Sequence, residues 1–321
     1  MNAEAVIQVA GVTYDYPGLR ALSDVGFAVE AGSIVAMVGA NGAGKSTLLR
    51  CMAALDRPLA GEIRIAGQDV FEDSRAAHRR LGYLPDFFGL YDELTVRQCL
   101  AFRAAALGVE GEAQAGAVET AARRLRIDDR MGARAGTLSR GLRQRLAIAQ
   151  AIIHEPEVLL LDEPASGLDP EARIGLAAVL RALRDSGMTL VVSSHILAEL
   201  EDYSSHLLIL EAGRLVEYRA LDGAAAPRAS GRTTLRLVMA EPVEDLAGRL
   251  AAVAGLSRIE GEGRIAQAEV PADPAAQHGI LKAILAAGLP LAEFAPLRGS
   301  LQDAYIARLQ TERRAMQGDS S

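Results

Sequence analysis

Apolar positions in this chain follow two rhythms. Short unbroken runs occur at 33–38 (SIVAMV), within 158–164 (VLLLDEP) and within 189–195 (TLVVSSH), each bounded by Gly, Pro or polar residues. Such runs read as strands buried on both faces. Weaker patterns at 5–10 and 62–66 predict two further strands, and 207–218 reads as a strand, a turn at Gly213 and a second strand. Helical spacing appears over about 46–55, 97–127, 139–153 and 171–186, with Gly108 and Gly111 breaking the second stretch and Pro58 and Gly61 expected to stop the first. Apolar strands alternating with helices predict an α/β fold with a largely parallel central sheet. Residues 97–154 are almost purely helical in pattern and read as a helical subdomain inserted between strands.

Beyond residue 221 the pattern changes. Residues 222–231 (DGAAAPRASG) are small and rich in chain breakers, as in a linker. Strand-like segments at 233–239, 263–270 and 291–297, with helical stretches at 243–254 and 275–287, predict a small α+β domain. The expected division is a first domain over 1–222 with its helical subdomain at about 90–154, a linker at 223–232, the α+β domain at 233–310 and a frayed tail at 311–321.

The net charge of −7 lacks the basic surplus of most nucleic-acid binders, so no nucleic-acid partner is expected. Cys51 and Cys99 are far apart and form no CxxC pair, which argues for neither a disulfide framework nor a zinc site. The opening residues show no charged segment followed by a long apolar run, and no stretch is long and apolar enough for a transmembrane helix. A membrane role would therefore come through a partner. There are 32 arginines and two lysines, Lys45 and Lys282. A lysine in so arginine-rich a chain points to a site that wants a compact ammonium rather than a planar fork.

Lys45 lies in Gly39-Ala40-Asn41-Gly42-Ala43-Gly44-Lys45-Ser46-Thr47, which fits G-x-x-x-x-G-K-[ST], the P-loop or Walker A pattern. Small residues let the backbone curl so that its N–H groups face a β-phosphate, and the positive end of the following helix adds to the attraction. In that pattern Lys45 neutralises β- and γ-phosphate oxygens, and the Ser46 hydroxyl is a ligand for Mg²⁺. The apolar strand 158–161 ends in Asp162 and Glu163. Asp162 is the candidate Mg²⁺ holder and Glu163 the candidate general base for an attacking water. Up to this point the reading is a generic P-loop NTPase.

The remaining motifs resemble those of the ATP-binding cassette (ABC) family, and together they span residues 1–220. Leu138-Ser139-Arg140-Gly141-Leu142, ahead of a helix, resembles the signature usually written LSGGQ. Ser166-Gly167-Leu168-Asp169 resembles the D-loop, and His195, 33 residues after Asp162, matches the switch histidine. Tyr16, 29 residues before Lys45, resembles the aromatic residue that stacks on adenine, with Tyr14 as the competing candidate. The resemblance implies that Ser139, Gly141 and Asp169 act on ATP across a dimer interface and that His195 orients Glu163. A homodimer is the simpler expectation, because every motif is present in one chain. The resemblance also implies ATP and Mg²⁺ as ligands and a separately encoded, polytopic membrane permease as partner. It places the chain at the cytoplasmic face of the plasma membrane, peripheral through that permease. The stretches 83–96 and 138–146 look like the branch serving exporters of drugs, lipids or polysaccharides.

Three positions depart from the family pattern. Arg140 replaces a Gly, a change familiar from a subgroup of exporter ATPases, and Leu142 replaces a Gln. Asp86, after Pro85, replaces the Gln of the Q-loop. Next to it, Phe87-Phe88-Gly89-Leu90-Tyr91 reads either as a partner-docking patch or as core packing. Two rival functions were weighed. A soluble family member acting on ribosomes or DNA would carry two cassettes or a long coiled-coil insertion, and the sequence displays neither. A regulatory nucleotide binder with little catalysis is favoured by Asp86 and Leu142 and opposed by Glu163 and His195. A carboxylate at 86 is an oxygen donor suited to Mg²⁺. Asp86→Ala should therefore raise the Mg²⁺ concentration needed for half-maximal ATP hydrolysis, and an unchanged Mg²⁺ profile removes Asp86 from the metal's surroundings.

Overall fold

The computed structural model describes residues 5–196, 200, 203–221 and 232–296. The expected linker up to residue 231 and everything from 297 onward, the expected tail included, lie outside the described residues. The described residues divide into two compact units, one made of those up to 221 and the other of those from 232 to 296.

In the first unit the elements are β1 (Ala5–Tyr16), β2 (Leu19–Glu30), β3 (Ile34–Val38), α1 (Lys45–Met52), β4 (Ala60–Ile65), β5 (Gln68–Asp69), α2 (Ser74–Arg80), β6 (Leu81–Leu84), α3 (Val96–Ala106), α4 (Glu112–Arg124), α5 (Arg140–Ile152), β7 (Val158–Leu161), α6 (Pro170–Asp185), β8 (Thr189–Ser194), β9 (His206–Glu211) and β10 (Arg214–Ala220). Six strands form the central sheet in the order β10-β9-β3-β8-β7-β6. All its pairings are parallel except the β9–β10 hairpin, as the apolar runs require. Every residue of β3, β7 and β8 is buried, which is why these strands read as unbroken apolar segments.

A second sheet, order β2-β1-β4-β5, is wholly antiparallel. Two of its four strands were legible in part, the strand expected at 62–66 being β4. The expected strand 5–10 is the first half of β1, and β2 was not anticipated at all. Its pattern is broken by Gly26 and by Asp24 at φ 54, and β1 and β2 shift register at several points. The two sheets share one core, in which Ile7, Val9, Val25 and Ile63 pack with Met37, Leu48 and Leu160.

Several ends also differ from expectation. α1 stops at Met52, short of Pro58, because Ala54 turns left-handed (φ 54) and its N–H folds back onto the Cys51 carbonyl. An alanine carries no sequence signal for that turn. The broken helical stretch at 97–127 is α3 and α4, and α3 opens with a capping box in which Thr95 and Gln98 bond each other's backbone N–H groups.

The second unit contains β11 (Arg232–Val243), α7 (Leu246–Ala251), β12 (Ser257–Pro271), α8 (Pro274–Ala286) and β13 (Leu291–Pro296), with an antiparallel sheet in the order β12-β11-β13. Its core joins Leu235, Leu237 and Met239 of β11 to Leu250, Ile280 and Ile284 of the helices. α7 is half the expected length: Asp245, left-handed at φ 50, caps it through the Gly248 N–H.

Candidate functional site

The C-terminal ends of β3, β7 and β8 bring the predicted residues together, as crevices at strand C-termini do in open parallel sheets. β3 ends at Val38 and the chain turns through Gly39–Gly44 into α1. Two glycines of this loop are required sterically. A Cβ on Gly39 would lie 2.4 Å from the Leu210 carbonyl oxygen, and one on Gly44 would lie 2.7 Å from that of Ala21. Gly44 also sits at φ 102, and neither it nor any side chain caps α1. The first intrahelical bond is Leu48 N–H to Gly44 O. The N–H groups of Lys45, Ser46 and Thr47 thus precede the helical ladder, the arrangement that receives an anion. Asn41, Gly42 and Ser46 are exposed, whereas Ala43, Lys45 and Thr47 are buried.

Lys45 is only 6% exposed. Its Nζ donates to Gly39 O at 2.8 Å and lies 3.6 Å from Glu163 Oε1. A buried ammonium so held is a fixed positive charge at the mouth of the loop. Glu163 also meets His195, with Nδ1 of the imidazole 2.8 Å from Oε2. The carboxylate accepts, so the imidazole donates from Nδ1. The Lys45 ammonium of α1 and the His195 imidazole just after β8 therefore hold one carboxylate.

Glu163 adopts φ 48, the left-handed region, where a non-glycine backbone is strained by about 1–2 kcal/mol. Ser193, fully buried on β8, holds it there. Its Oγ accepts the Glu163 N–H at 2.9 Å and donates to Asp162 Oδ1 at 2.6 Å. One hydroxyl thus fixes both acidic residues. Sequence reasoning missed Ser193; its signal was a serine, two before His195, directly after the apolar stretch Leu190–Val192 of a wholly buried strand.

Asp86 follows β6 and is exposed. Partial burial, and after it the carboxylates of Asp162 and Glu163, push its carboxyl above the ordinary range, while Arg140 and His195 pull the other way. The structure thus brings Asp86 into the electrostatic field of the acidic pair. With the Ser46 hydroxyl and Asp162, the oxygen donors suit a hard divalent cation. Among the described residues no cluster of three or more metal-binding side chains exists.

Tyr16 ends β1, is 39% exposed, and its hydroxyl lies 3.4 Å from Thr47 Oγ1. Tyr14 instead packs against the core. Of the two, Tyr16 presents a free ring face beside α1, with Tyr14 against it edge-on at 5.0 Å.

Ser139, Gly141 and Asp169 lie apart from Lys45 in sequence and line a separate recess of about 250 Å³ together with Arg145 and Glu171. Ser139 caps α5, accepting from the Leu142 N–H, and Asp169 caps α6, accepting from the Ala172 N–H at 2.8 Å. Both are exposed, and both caps leave oxygen atoms at the surface. Gly141 lets the two helix ends approach, since a Cβ there would stand 3.0 Å from that of Ala172. Arg140, the unusual residue of this motif, donates from Nη2 to Ser166 O at 3.0 Å, and its guanidinium lies over Gly167, whose backbone sits at φ 65. Ser166 N–H in turn bonds Glu163 O. Arg140 therefore ties the start of α5 to the turn that leaves Glu163, a link the sequence did not disclose.

Comparison with known proteins agrees with this geometry. The family model for ABC transporter matches residues 22–166. The chain is 34% identical over 195 residues to Nod factor export ATP-binding protein I of Burkholderia lata, covering 61% of this chain and 64% of that protein. It thus spans just under two thirds of that relative's length. It is 32% identical over 216 residues to bacitracin transport ATP-binding protein BcrA of Bacillus licheniformis, covering 66% of this chain and 69% of that one. A solved ATP-binding subunit of an ABC transporter superposes with a TM-score of 0.61 at 32% identity, over 68% of this chain and 90% of that chain. The sheets and loops described above are those of a P-loop NTPase cassette, and the chain belongs to the ABC transporter family.

Replacing Ser193 by Ala leaves the Glu163 N–H and the Asp162 carboxylate without their shared partner. Stability should fall by about 1–3 kcal/mol in urea titration, and ATP turnover by about tenfold or more because Glu163 is no longer held. Ser193→Thr, which keeps the hydroxyl, should recover much of both; equal loss in the two variants would contradict the shared-hydroxyl role.

Proposed function

We propose that this chain hydrolyses ATP as the nucleotide-binding subunit of an exporter, driving a separately encoded membrane permease. The observation that carries the reading is Glu163, gripped by His195 at 2.8 Å and Lys45 at 3.6 Å beside an uncapped helix N-terminus. The N–H groups of α1 and Lys45 bind the β- and γ-phosphates, and Tyr16 stacks on the adenine. Bound Mg²⁺ would neutralise phosphate oxygens, with Ser46, Asp162 and Asp86 as the residues to hold it. A triphosphate in the loop offers Lys45 anionic oxygens in place of Glu163 and the Gly39 carbonyl. Glu163, still oriented by His195 and Ser193, is then free to take the proton of the attacking water.

The remaining parts come from a second copy. Ser139 is exposed and Gly141 half-buried at a helix start that bears a partial positive charge, so they suit a γ-phosphate held by the partner's loop. Asp169 sits at the same surface. A homodimer closed around two ATP molecules follows, and it opens when phosphate leaves because ADP lacks the group that bridges the subunits. The relatives named for Nod factor export and bacitracin transport support the exporter reading.

No described helix is long and apolar enough to cross a membrane. In this reading the permease is engaged from the cytoplasmic side. Its docking surface is the aromatic group Phe87, Tyr91 and Phe102, which are 94%, 60% and 55% exposed. Tyr91 and Phe102 touch edge to face at 5.6 Å. Such exposure makes Phe87 a contact residue rather than core packing. It lies next to Asp86, which puts the partner surface beside the nucleotide.

Glu163→Gln should bind ATP normally, lose at least about 100-fold in turnover, and elute as an ATP-dependent dimer in size-exclusion chromatography. Turnover at the native rate would remove Glu163 as the base.

A further inference from the structure

Away from the nucleotide site, a recess of about 580 Å³ lies where α2 meets the chain segments that follow α3 and α5. This is the size of a small-molecule site. Its walls carry Arg75, His78 and Arg79 from α2 and His154 from beyond α5, with Leu107 and Val109 as apolar lining and no carboxylate. The chain has a net charge of −7, so an acid-free cationic wall is not its average surface.

The arginines here are not used structurally. Among the described residues Arg75 and Arg79 have no hydrogen-bond or ion-pair partner. Their neighbours do: Arg80 lies 3.2 Å from Glu157, and Arg124 lies 3.5 Å from Glu155. The two imidazoles are fixed by backbone. His78 Nε2 is 2.8 Å from Ala53 O, and His154 Nε2 is 3.2 Å from Leu81 O. The recess is therefore partly preorganised by these two rings, which lowers the entropic cost of filling it, while its positive charge is that of the two guanidinium groups, since burial holds His154 toward its neutral form.

A second recess, of about 330 Å³, adjoins the first and shares Val109 and His154 with it. Its lining includes Ala113, Ala117 and Ile153. Glu155 lies at this second recess, but its charge is matched by Arg124. A cationic compartment thus runs into an apolar one across His154.

We propose that this double recess binds an anionic amphiphile, with a phosphoryl head among Arg75, His78 and Arg79 and a short apolar tail against Ala117 and Ile153. Two guanidinium groups offer forked N–H donors that match a multi-oxygen anion, and a phosphoryl group has enough acceptors for both. The apolar annex rewards a tail that a bare phosphate lacks. This site does not depend on how the nucleotide site is read.

The test is isothermal titration of the full chain with its P-loop filled by saturating MgADP, so that phosphate binding there is blocked. The probes are dihexanoyl phosphatidic acid as a monomer and inorganic pyrophosphate. The lipid should bind once per chain and at least about tenfold more tightly than pyrophosphate. The variant carrying Arg75→Ser and Arg79→Ser should weaken lipid binding by at least about tenfold while ATP hydrolysis stays unchanged. Both arginines are exposed, so the variant keeps its fold. Absence of lipid binding, or equal binding by the variant, overturns the proposal. Equal affinity for the two probes overturns its apolar half and assigns the recess to a bare phosphoryl anion.

Discussion

Two adjacent carboxylates at the end of a buried strand repel each other and would lose their positions without a common restraint. In this chain the restraint is the Ser193 hydroxyl, 2.6 Å from Asp162 and 2.9 Å from the Glu163 amide. Because β7 and β8 are hydrogen-bonded neighbours in register, Leu161 opposite Val192, the serine comes level with the acidic pair. The geometry of the site is thus set by parallel pairing in the core. The strained backbone of Glu163 persists because this bond, His195 and Lys45 all hold it at once. Strain of that kind is sustained only where the surroundings over-determine it.

The second constraint is the loop before α1. Glycine at 39 and 44 is dictated by carbonyls of neighbouring strands, which close to within 2.4 and 2.7 Å of any added Cβ. The loop is therefore moulded against the sheet. Lys45, buried beside it, gives the pocket its sign. Arg140 extends this order outward, since its bond to Ser166 joins the surface at Ser139 to the turn after Glu163. Ser139 at the surface thus has a short covalent and hydrogen-bonded route to Glu163.

What the sequence disclosed follows from how each feature is encoded. Buried parallel strands leave unbroken apolar runs, so β3, β7 and β8 were legible. The loop and the carboxylate pair were legible because their chemistry demands fixed residue types at fixed spacing. In the antiparallel sheet β4 and the first half of β1 were legible, whereas β2 was hidden: it has a bulged register and a left-handed Asp24, which blur alternation. The end of α1 was hidden because an alanine makes the turn. Ser193 and Arg140 were passed over for another reason. Their roles are defined by partners 31 and 26 residues away, Asp162 and Ser166, and no local pattern announces such a bond. Tyr14 packs against the core and Tyr16 is 39% exposed, a difference in burial that the sequence does not show.

The account stands or falls on active sites shared between two copies of the chain. Lys45→Ala and Ser139→Arg each disable one half of such a site, and each homodimer should be inactive. In an equimolar mixture of the two proteins, half of the dimers are mixed, and each mixed dimer keeps one intact site formed by a native loop and a native Ser139. ATPase activity should then return to about a quarter of the native level. A mixture as inactive as its two components would contradict the shared site.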